Sequence, residues 1–347
     1  MVKTEQDNKM EPLLTLICIT YNHEAYIRRT LDSFLMQKTD FPFEILVHDD
    51  ASTDRTADII REYEAKYPEL IRGIYQKENQ YSNPACQSIN EFIFPEARGR
   101  YFAHCDGDDY FTDPYKLQKQ ITYLETHPEC VMVTHRAVWH TEGAGSESDC
   151  FYPEEEKERD YSLREIAVYG AGLFATNSFV LRREVNEQMP ECFHVRHIGD
   201  YNLLIYAAIC GTCHYLPDIM SVHNDGVPGS WTETIWAQAE KHMESDRAIL
   251  DMLKKIDIHY EGRFHNEMEE AAARRQRYLD DYTFRYLINQ GREKEAAHRY
   301  PERWKQEKRL AFRSNLAKSF PFLKRIKQGL GRFLLLTKKL EKSTKSR

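Results

Sequence analysis

The feature that most constrains this chain is a pair of short apolar runs, each ending abruptly in polar residues. Leu13-Leu-Thr-Leu-Ile-Cys-Ile19 stops at Thr20-Tyr21-Asn22, and Phe43-Glu-Ile-Leu-Val47 leads into Asp49-Asp50-Ala51-Ser52-Thr53-Asp54. Apolar, β-rich runs of this length read as strands buried on both faces. A helical period follows each: Ile27, Leu31, Phe34 and Leu35 share one face, and a second helix is expected over 56–67. Further strands are expected at 71–75, 101–104 and 131–134. A helix carrying Leu117, Ile121 and Leu124 begins after Pro114. This alternation predicts an α/β fold, a mainly parallel sheet flanked by helices. Such sheets bind ligands at the carboxyl ends of their strands, which is where the polar motifs fall.

The rest of the chain is less regular. Residues 141–162 are acidic, with Gly143, Gly145 and Pro153, and are expected to form an exposed loop or lid. Strand-like pieces return at 178–181 and 215–222. Beyond Thr232 long helical patterns dominate, broken near Gly262, Gly291 and Pro301. The expected organisation is a sheet domain over 12–232, a helical extension over 233–300 and a tail over 301–347. Charge divides along the same lines. The tail carries 15 Lys+Arg against 3 Asp+Glu, leaving 33 against 52 in the body. An acidic body argues against nucleic acid as a partner. No apolar stretch is long enough to span a membrane, the polar start predicts no secretory leader, and eight cysteines do not suggest a disulfide framework. A cytoplasmic protein is expected. Cys210-Gly-Thr-Cys213 has redox spacing but no second pair and reads as structural, while Cys18 and Cys105 read as small core residues.

Four constellations could carry chemistry. In the first, Thr20, Tyr21 and Asn22 meet Asp49 and Asp50 in one crevice. An aromatic ring can stack on a base and a carboxylate can accept its N–H; turn and cap chemistry is the plainer alternative. In the second, Asp106-Gly107-Asp108-Asp109 crowds three carboxylates that repel unless a cation sits there, and hard oxygen ligands suit Mg²⁺ or Mn²⁺. A solvated acidic turn is the competing reading. The third is Asp200 after Gly199, a helix cap or a general base. The fourth is His223, before a glycine-rich loop and Trp231, a structural histidine or a metal ligand. In the tail, Leu316, Phe320, Leu323, Ile326, Leu330 and Phe333 alternate with basic residues, as in an amphipathic helix lying on an anionic membrane or packing on the protein.

Taken in order, Thr15-Leu-Ile-Cys-Ile-Thr-Tyr-Asn22, Asp49-Asp-Ala-Ser-Thr-Asp54 and Asp106-Gly-Asp-Asp109 resemble family 2 glycosyltransferases with the GT-A, Rossmann-like fold, especially bacterial members that build capsular or other surface polysaccharides. The resemblance covers roughly 12–232. It implies that Thr20, Tyr21 and Asp50 hold the nucleoside, with Asn22 and Asp49 beside them. Asp108, with Asp106 and Asp109 beside it, would bind Mn²⁺ or Mg²⁺ and the sugar diphosphate. Asp200 would be the base, and His223 would complete a metal site of Asp108, Asp109 and His223. Two departures stand out: Gln87-Ser-Ile-Asn90 lacks the Arg-Asn pair of many relatives, and Gly199 replaces the usual Glu before the base. The C-terminal third lacks the pore helices of processive synthases, which implies transfer of single sugars.

The implied reaction is inverting transfer from a nucleotide-sugar donor, expected to be UDP-linked, to a glycan or lipid-linked acceptor. The basic tail would give a peripheral contact with the inner face of the membrane. Two other readings remain. A sugar-phosphate nucleotidylyltransferase would want a glycine-rich, basic loop after the first strand, which Thr20-Tyr-Asn-His-Glu24 is not. A non-catalytic scaffold on the same fold would have no use for intact acidic residues.

Overall fold

Period-two alternation along the strands divides their residues between two cores. In a computed structural model, which describes residues 11–308 except 87, 142, 144, 145, 147, 148, 197, 229, 231–237 and 307, strand β1 (Leu14–Thr20) sends Leu14, Leu16 and Cys18 to one apolar cluster and Ile17 to another. Strand β2 (Phe43–Asp49) does the same with Ile45 and Val47 against Leu46. Both faces are covered, so every residue of these strands can be apolar. Helix α1 (Ile27–Leu35) packs on the sheet through Ile27, Leu31 and Phe34, as its period predicts.

Helix α2 (Thr56–Lys66) leads to β3 (Ile71–Tyr75), and the short α3 (Asn90–Ile93) to β4 (Tyr101–His104). The acidic turn follows, then β5 (Tyr110–Phe111), α4 (Lys116–Thr126) and the long β6 (Cys130–Thr141). After β7 (Cys150–Tyr152) and β8 (Arg159–Tyr161) come α5 (Leu163–Tyr169), β9 (Val180–Arg182), α6 (Arg183–Glu187), α7 (Asp200–Cys210) and β10 (Thr212–Asp225). The strands lie in the order β3-β2-β1-β4-β9-β6-β10-β5, with β7 on β6 and β8 on β10. The first four strands are parallel, as are β6 and β10. Between these blocks β9 runs antiparallel to both neighbours. The sheet is therefore mixed, with its longest pairings parallel.

Within the stretch expected to be an exposed loop, Cys150–Tyr152 and Arg159–Tyr161 are strands. β7 and β8 pair antiparallel with the sheet, and Ser162 closes a capping box with Glu165 at the start of α5. Strand β10 shifts register around Pro217, which cannot donate to the ladder.

The chain falls into two compact units, Met1–Arg277 and Tyr278–Arg347. Helix α8 (Ala239–His259) belongs to the first and contributes Ile249, Met252, Leu253 and Ile256 to its core. Helices α9 (His265–Asn289) and α10 (Glu293–Arg299) follow. Within the second unit Phe284, Leu287 and Ala296 form a small cluster with Ile288, Tyr300 and Trp304. The amphipathic stretch expected from Leu316 to Phe333, and Trp231, lie outside the described residues. Among the described residues no helix is long and apolar enough to cross a membrane.

Candidate active site

The carboxyl ends of β1, β2, β4 and β10 bring the sequence motifs to one edge of the sheet. β1 and β2 pair in parallel, with Thr20 beside Asp49, so the Thr20-Tyr21-Asn22 and Asp49-Asp50 segments adjoin. Asn22, at φ 56°, ties the two loops together: its N–H donates to Ser52 Oγ at 2.9 Å and its Oδ1 accepts the Thr53 N–H at 2.7 Å. Tyr21 is 39% exposed, able to offer its ring to a flat partner.

The two aspartates of the pair differ. Both Asp50 oxygens are engaged, accepting the Gln80 N–H at 2.7 Å and the Tyr81 N–H at 3.0 Å. Asp50 thereby pins the 79–83 loop. Asp49 accepts one long bond from Ser52 N–H on Oδ2, while its buried Oδ1 has no hydrogen-bond partner. Burial holds its carboxyl above the ordinary range, against the opposing Ser52 bonds. Thr20 Oγ1 and His23 Nδ1 are likewise buried without partners. A buried polar atom left unpaired costs free energy, so these atoms mark where a ligand's polar groups would be welcome.

The acidic turn lies against β1. The Gly107 N–H donates to the Ile19 carbonyl at 2.9 Å, and Thr30 Oγ1 lies 2.9 and 2.7 Å from the Gly107 and Asp109 carbonyl oxygens. No side chain fits at Gly107: a Cβ there would stand 2.5 Å from Thr20 Oγ1 and 2.9 Å from His23 Nδ1. Asp109 is fully buried and its carboxylate is saturated. Oδ1 accepts the Asn224 N–H at 2.8 Å; Oδ2 accepts from Asn177 Nδ2 at 2.9 Å and lies 3.0 Å from His223 Nδ1. Asp109 thus holds the site together from behind. Asp108 is buried, and His23 Nε2 approaches its Oδ2 to 3.8 Å.

Charge is crowded here. Burial, then Asp109 and Asp200, push the Asp106 carboxyl up to about 7 against the pull of His223. Burial, Asp109 and Asp106 raise Asp108 well above the ordinary range. Burial alone would lower His223, but the charge and hydrogen bond of Asp109, with Asp108 and Asp106, raise it to about 9. Burial lowers His23 to about 4, so it is neutral. Asp200 opens α7 at its first helical position, after Gly199, and its Oδ1 accepts the Tyr201 N–H at 2.7 Å. Burial of the carboxyl raises it, opposed by the Tyr201 bond, Arg275 and His223. A helix N-terminus favours the ionised form, but burial outweighs it, and the cap position that the sequence offered to Asp200 belongs to Gly199.

The donor set suits a divalent cation that shares its shell with a phosphate. Among the described residues no three His, Cys, Asp or Glu side chains form a ready cage. Magnesium-type sites commonly use one or two carboxylates plus substrate phosphates. Asp108 and His223 match that pattern, and the positive charge of a cation would oppose the mutual repulsion that, after burial, raises Asp106 and Asp108. Sequence reading missed several contributors. Thr30, Asn177 and Asn224 carry no motif, and Trp139 packs edge-on against His223 with ring centroids 4.3 Å apart. Lys116 is wholly buried, donating to Gln120 Oε1 at 2.8 Å, and burial pushes it down to about 7.

Residues 15–189 match the family described as Glycosyl transferase family 2. An uncharacterized protein of Mycobacterium tuberculosis is 38% identical over 220 residues, 63% of this chain and 60% of that protein. The putative teichuronic acid biosynthesis glycosyltransferase TuaG of Bacillus subtilis is 37% identical over 114 residues, 33% of this chain and 42% of that one. The chain thus spans less than two thirds of these relatives' length. Among solved structures, the mannosyltransferase PcManGT of Pyrobaculum calidifontis, in complex with GDP-Man and Mn²⁺, superposes with a TM-score of 0.51 at 18% identity, over 88% of this chain and 81% of that one. The fold is the GT-A fold.

Proposed function

The chain belongs to glycosyl transferase family 2, and from that premise we propose an inverting, metal-dependent glycosyltransferase that moves single sugars from a nucleotide-sugar donor to a glycan or lipid-linked acceptor. The observation that carries this reading is the crowding of Asp106, Asp108, Asp109 and Asp200 around His223 at the strand ends. Buried carboxylates in such numbers repel one another unless protonated or met by positive charge, and a divalent cation supplies that charge.

Each residue then has a task. Tyr21 stacks on the base, and Asp49, whose Oδ1 is open, accepts a base N–H more readily than Asp50, whose oxygens hold the 79–83 loop. Thr20 Oγ1 and Asp106 face the ribose and diphosphate. Asp108 and His223 would hold Mn²⁺ or Mg²⁺, whose positive charge would stabilise the departing nucleoside diphosphate. Asp200, with its raised carboxyl, takes the proton from the acceptor hydroxyl as that oxygen attacks the anomeric carbon from the face opposite the leaving group. One displacement inverts configuration without a sugar–enzyme bond.

The PcManGT complex supports a nucleotide-sugar donor with Mn²⁺, and the name of TuaG supports surface polysaccharide synthesis; the expected UDP base is tested against GDP and others. A basic amphipathic tail on an anionic membrane would suit a lipid-linked acceptor. A panel of nucleotide sugars, assayed for hydrolysis and for transfer with Mn²⁺ or EDTA, tests the whole. We expect one donor to be consumed only with metal, and Asp108→Asn to abolish this at unchanged melting temperature. Full activity in EDTA overturns the metal dependence.

A further inference from the structure

Behind the acidic turn runs a chain of fully buried polar groups that the transfer reaction does not itself require. Ser221 Oγ donates to Asn177 Oδ1 at 2.6 Å. Asn177 Nδ2 donates to Asp109 Oδ2 at 2.9 Å and to the Val222 carbonyl at 2.8 Å. Asp109 Oδ2 in turn lies 3.0 Å from His223 Nδ1. Ser221, Asn177 and Asp109 have no exposed surface. Asn177 sits in the turn Thr176–Ser178 just before β9, the strand that joins the two parallel blocks.

The orientation of the Asn177 amide is fixed by its neighbours. Turned over, its oxygen would face the Asp109 carboxylate and the Val222 carbonyl, two acceptors, and the Ser221 hydroxyl would lose its acceptor. In the observed sense both amide hydrogens and the oxygen are used. Asp109 Oδ1 also accepts the Asn224 N–H, so three donors immobilise this carboxylate. A carboxylate only accepts, so the hydrogen shared with His223 sits on Nδ1, and Nε2 is the nitrogen that a cation would take once its own proton is displaced. Trp139, edge-on at 4.3 Å, limits rotation of the ring.

We propose that Asn177 is a positioning residue for the metal site, holding the Asp109 carboxylate and, through it, the tautomer and ring plane of His223. This rests on the reading of His223 as a metal ligand. Outer partners of a ligating histidine fix its tautomer and orientation, and their loss typically weakens metal binding by roughly 10–100-fold.

The test measures binding of Mn²⁺ alone, from loss of the free-ion electron paramagnetic resonance signal, with metal-free melting recorded for each variant. His223→Ala and Asn177→Ala should each weaken Mn²⁺ binding, Asn177→Ala by roughly 10-fold or more. In the double variant Asn177→Ala should add nothing to His223→Ala, because it acts only through that ring. Ser221→Ala, which frees the Asn177 amide, should weaken binding by a smaller factor and decides the matter if Asn177→Ala does not fold. Unchanged affinity in Asn177→Ala or in Ser221→Ala overturns the inference. So does a further loss in the double variant, which would show a general structural effect; both results leave the metal reading intact. Equal Mn²⁺ binding by wild type and His223→Ala overturns the ligand reading and the inference with it.

Discussion

Adding one methyl group at Gly107 should disable the site while sparing most of the fold. The new Cβ would lie 2.5 Å from Thr20 Oγ1, 2.6 Å from Thr20 Cβ and 2.9 Å from His23 Nδ1. Rotating the Thr20 side chain moves its hydroxyl, which has no partner to lose. It cannot move its Cβ, which is fixed to the backbone of β1. Opening that contact from 2.6 Å to the 3.4 Å where ordinary contact begins takes about 0.8 Å of backbone motion. The turn is the part able to yield, because β1 is paired on both sides by β2 and β4. Such a shift strains the Gly107 N–H bond to the Ile19 carbonyl and carries Asp108 with it. Overpacking of this kind costs about 1–3 kcal/mol, and a displacement near 1 Å at a reacting centre costs roughly 10²-fold in rate. Gly107→Ala should therefore melt a few degrees lower and lose about 10²-fold in transfer, with weaker Mn²⁺ binding. Thermal melting and initial rates at saturating donor read both. Wild-type rate and Mn²⁺ affinity would refute the argument that the turn is seated on Thr20.

Asp200→Asn should keep its melting temperature and donor affinity while transfer falls roughly 10²-fold or more, as for loss of a general base; a near wild-type rate removes Asp200 from that role. Asp49→Asn and Asp50→Ala should separate: the first weakens donor binding alone, whereas the second frees the 79–83 loop and raises its proteolytic cleavage as well, and equal cleavage in both would contradict the hydrogen-bond assignment. His104 is buried, and burial, with Lys116, lowers it to about 4 from an ordinary 6.5. Its stabilising contribution is whole above pH 6.5 and is lost as pH falls through 4, a difference worth about 3 kcal/mol. Urea unfolding of His104→Leu should accordingly show a flatter pH dependence than wild type over this window, and parallel curves would count against it.

Much of this architecture is legible in the sequence because strand-end motifs are local. Thr20-Tyr21-Asn22, Asp49-Asp50 and the acidic turn each follow an apolar run directly, so finding the strand finds the candidate residues at its end. What stays hidden depends on pairing between distant segments. Nothing in the sequence near Asn177 tells that β9 wedges antiparallel between β4 and β6, and only that wedge brings its amide to Asp109, 68 residues away. Asp50 looks as available as Asp49 until the 79–83 loop folds over it. Lys116 reads as a solvated helix-start lysine, yet lies over the Phe111 ring at 4.3 Å. β7 and β8 are too short to show alternation, so composition alone marks their region as loop.

The bond between Asp109 and His223 spans 114 residues of chain, and this sets a clock for biosynthesis. At ribosomal rates the second partner emerges roughly 6–23 s after the first. Throughout that interval Asp109 lacks Asn177 first, then His223 and Asn224, while the β1, β2 and β4 segments are already available to pair. The nascent protein thus carries an unsatisfied carboxylate beside an unfinished sheet edge at β6 until β10 arrives to close both. Chains halted before β10 would expose that edge to one another, so truncated products should aggregate rather than persist as soluble, inactive enzyme.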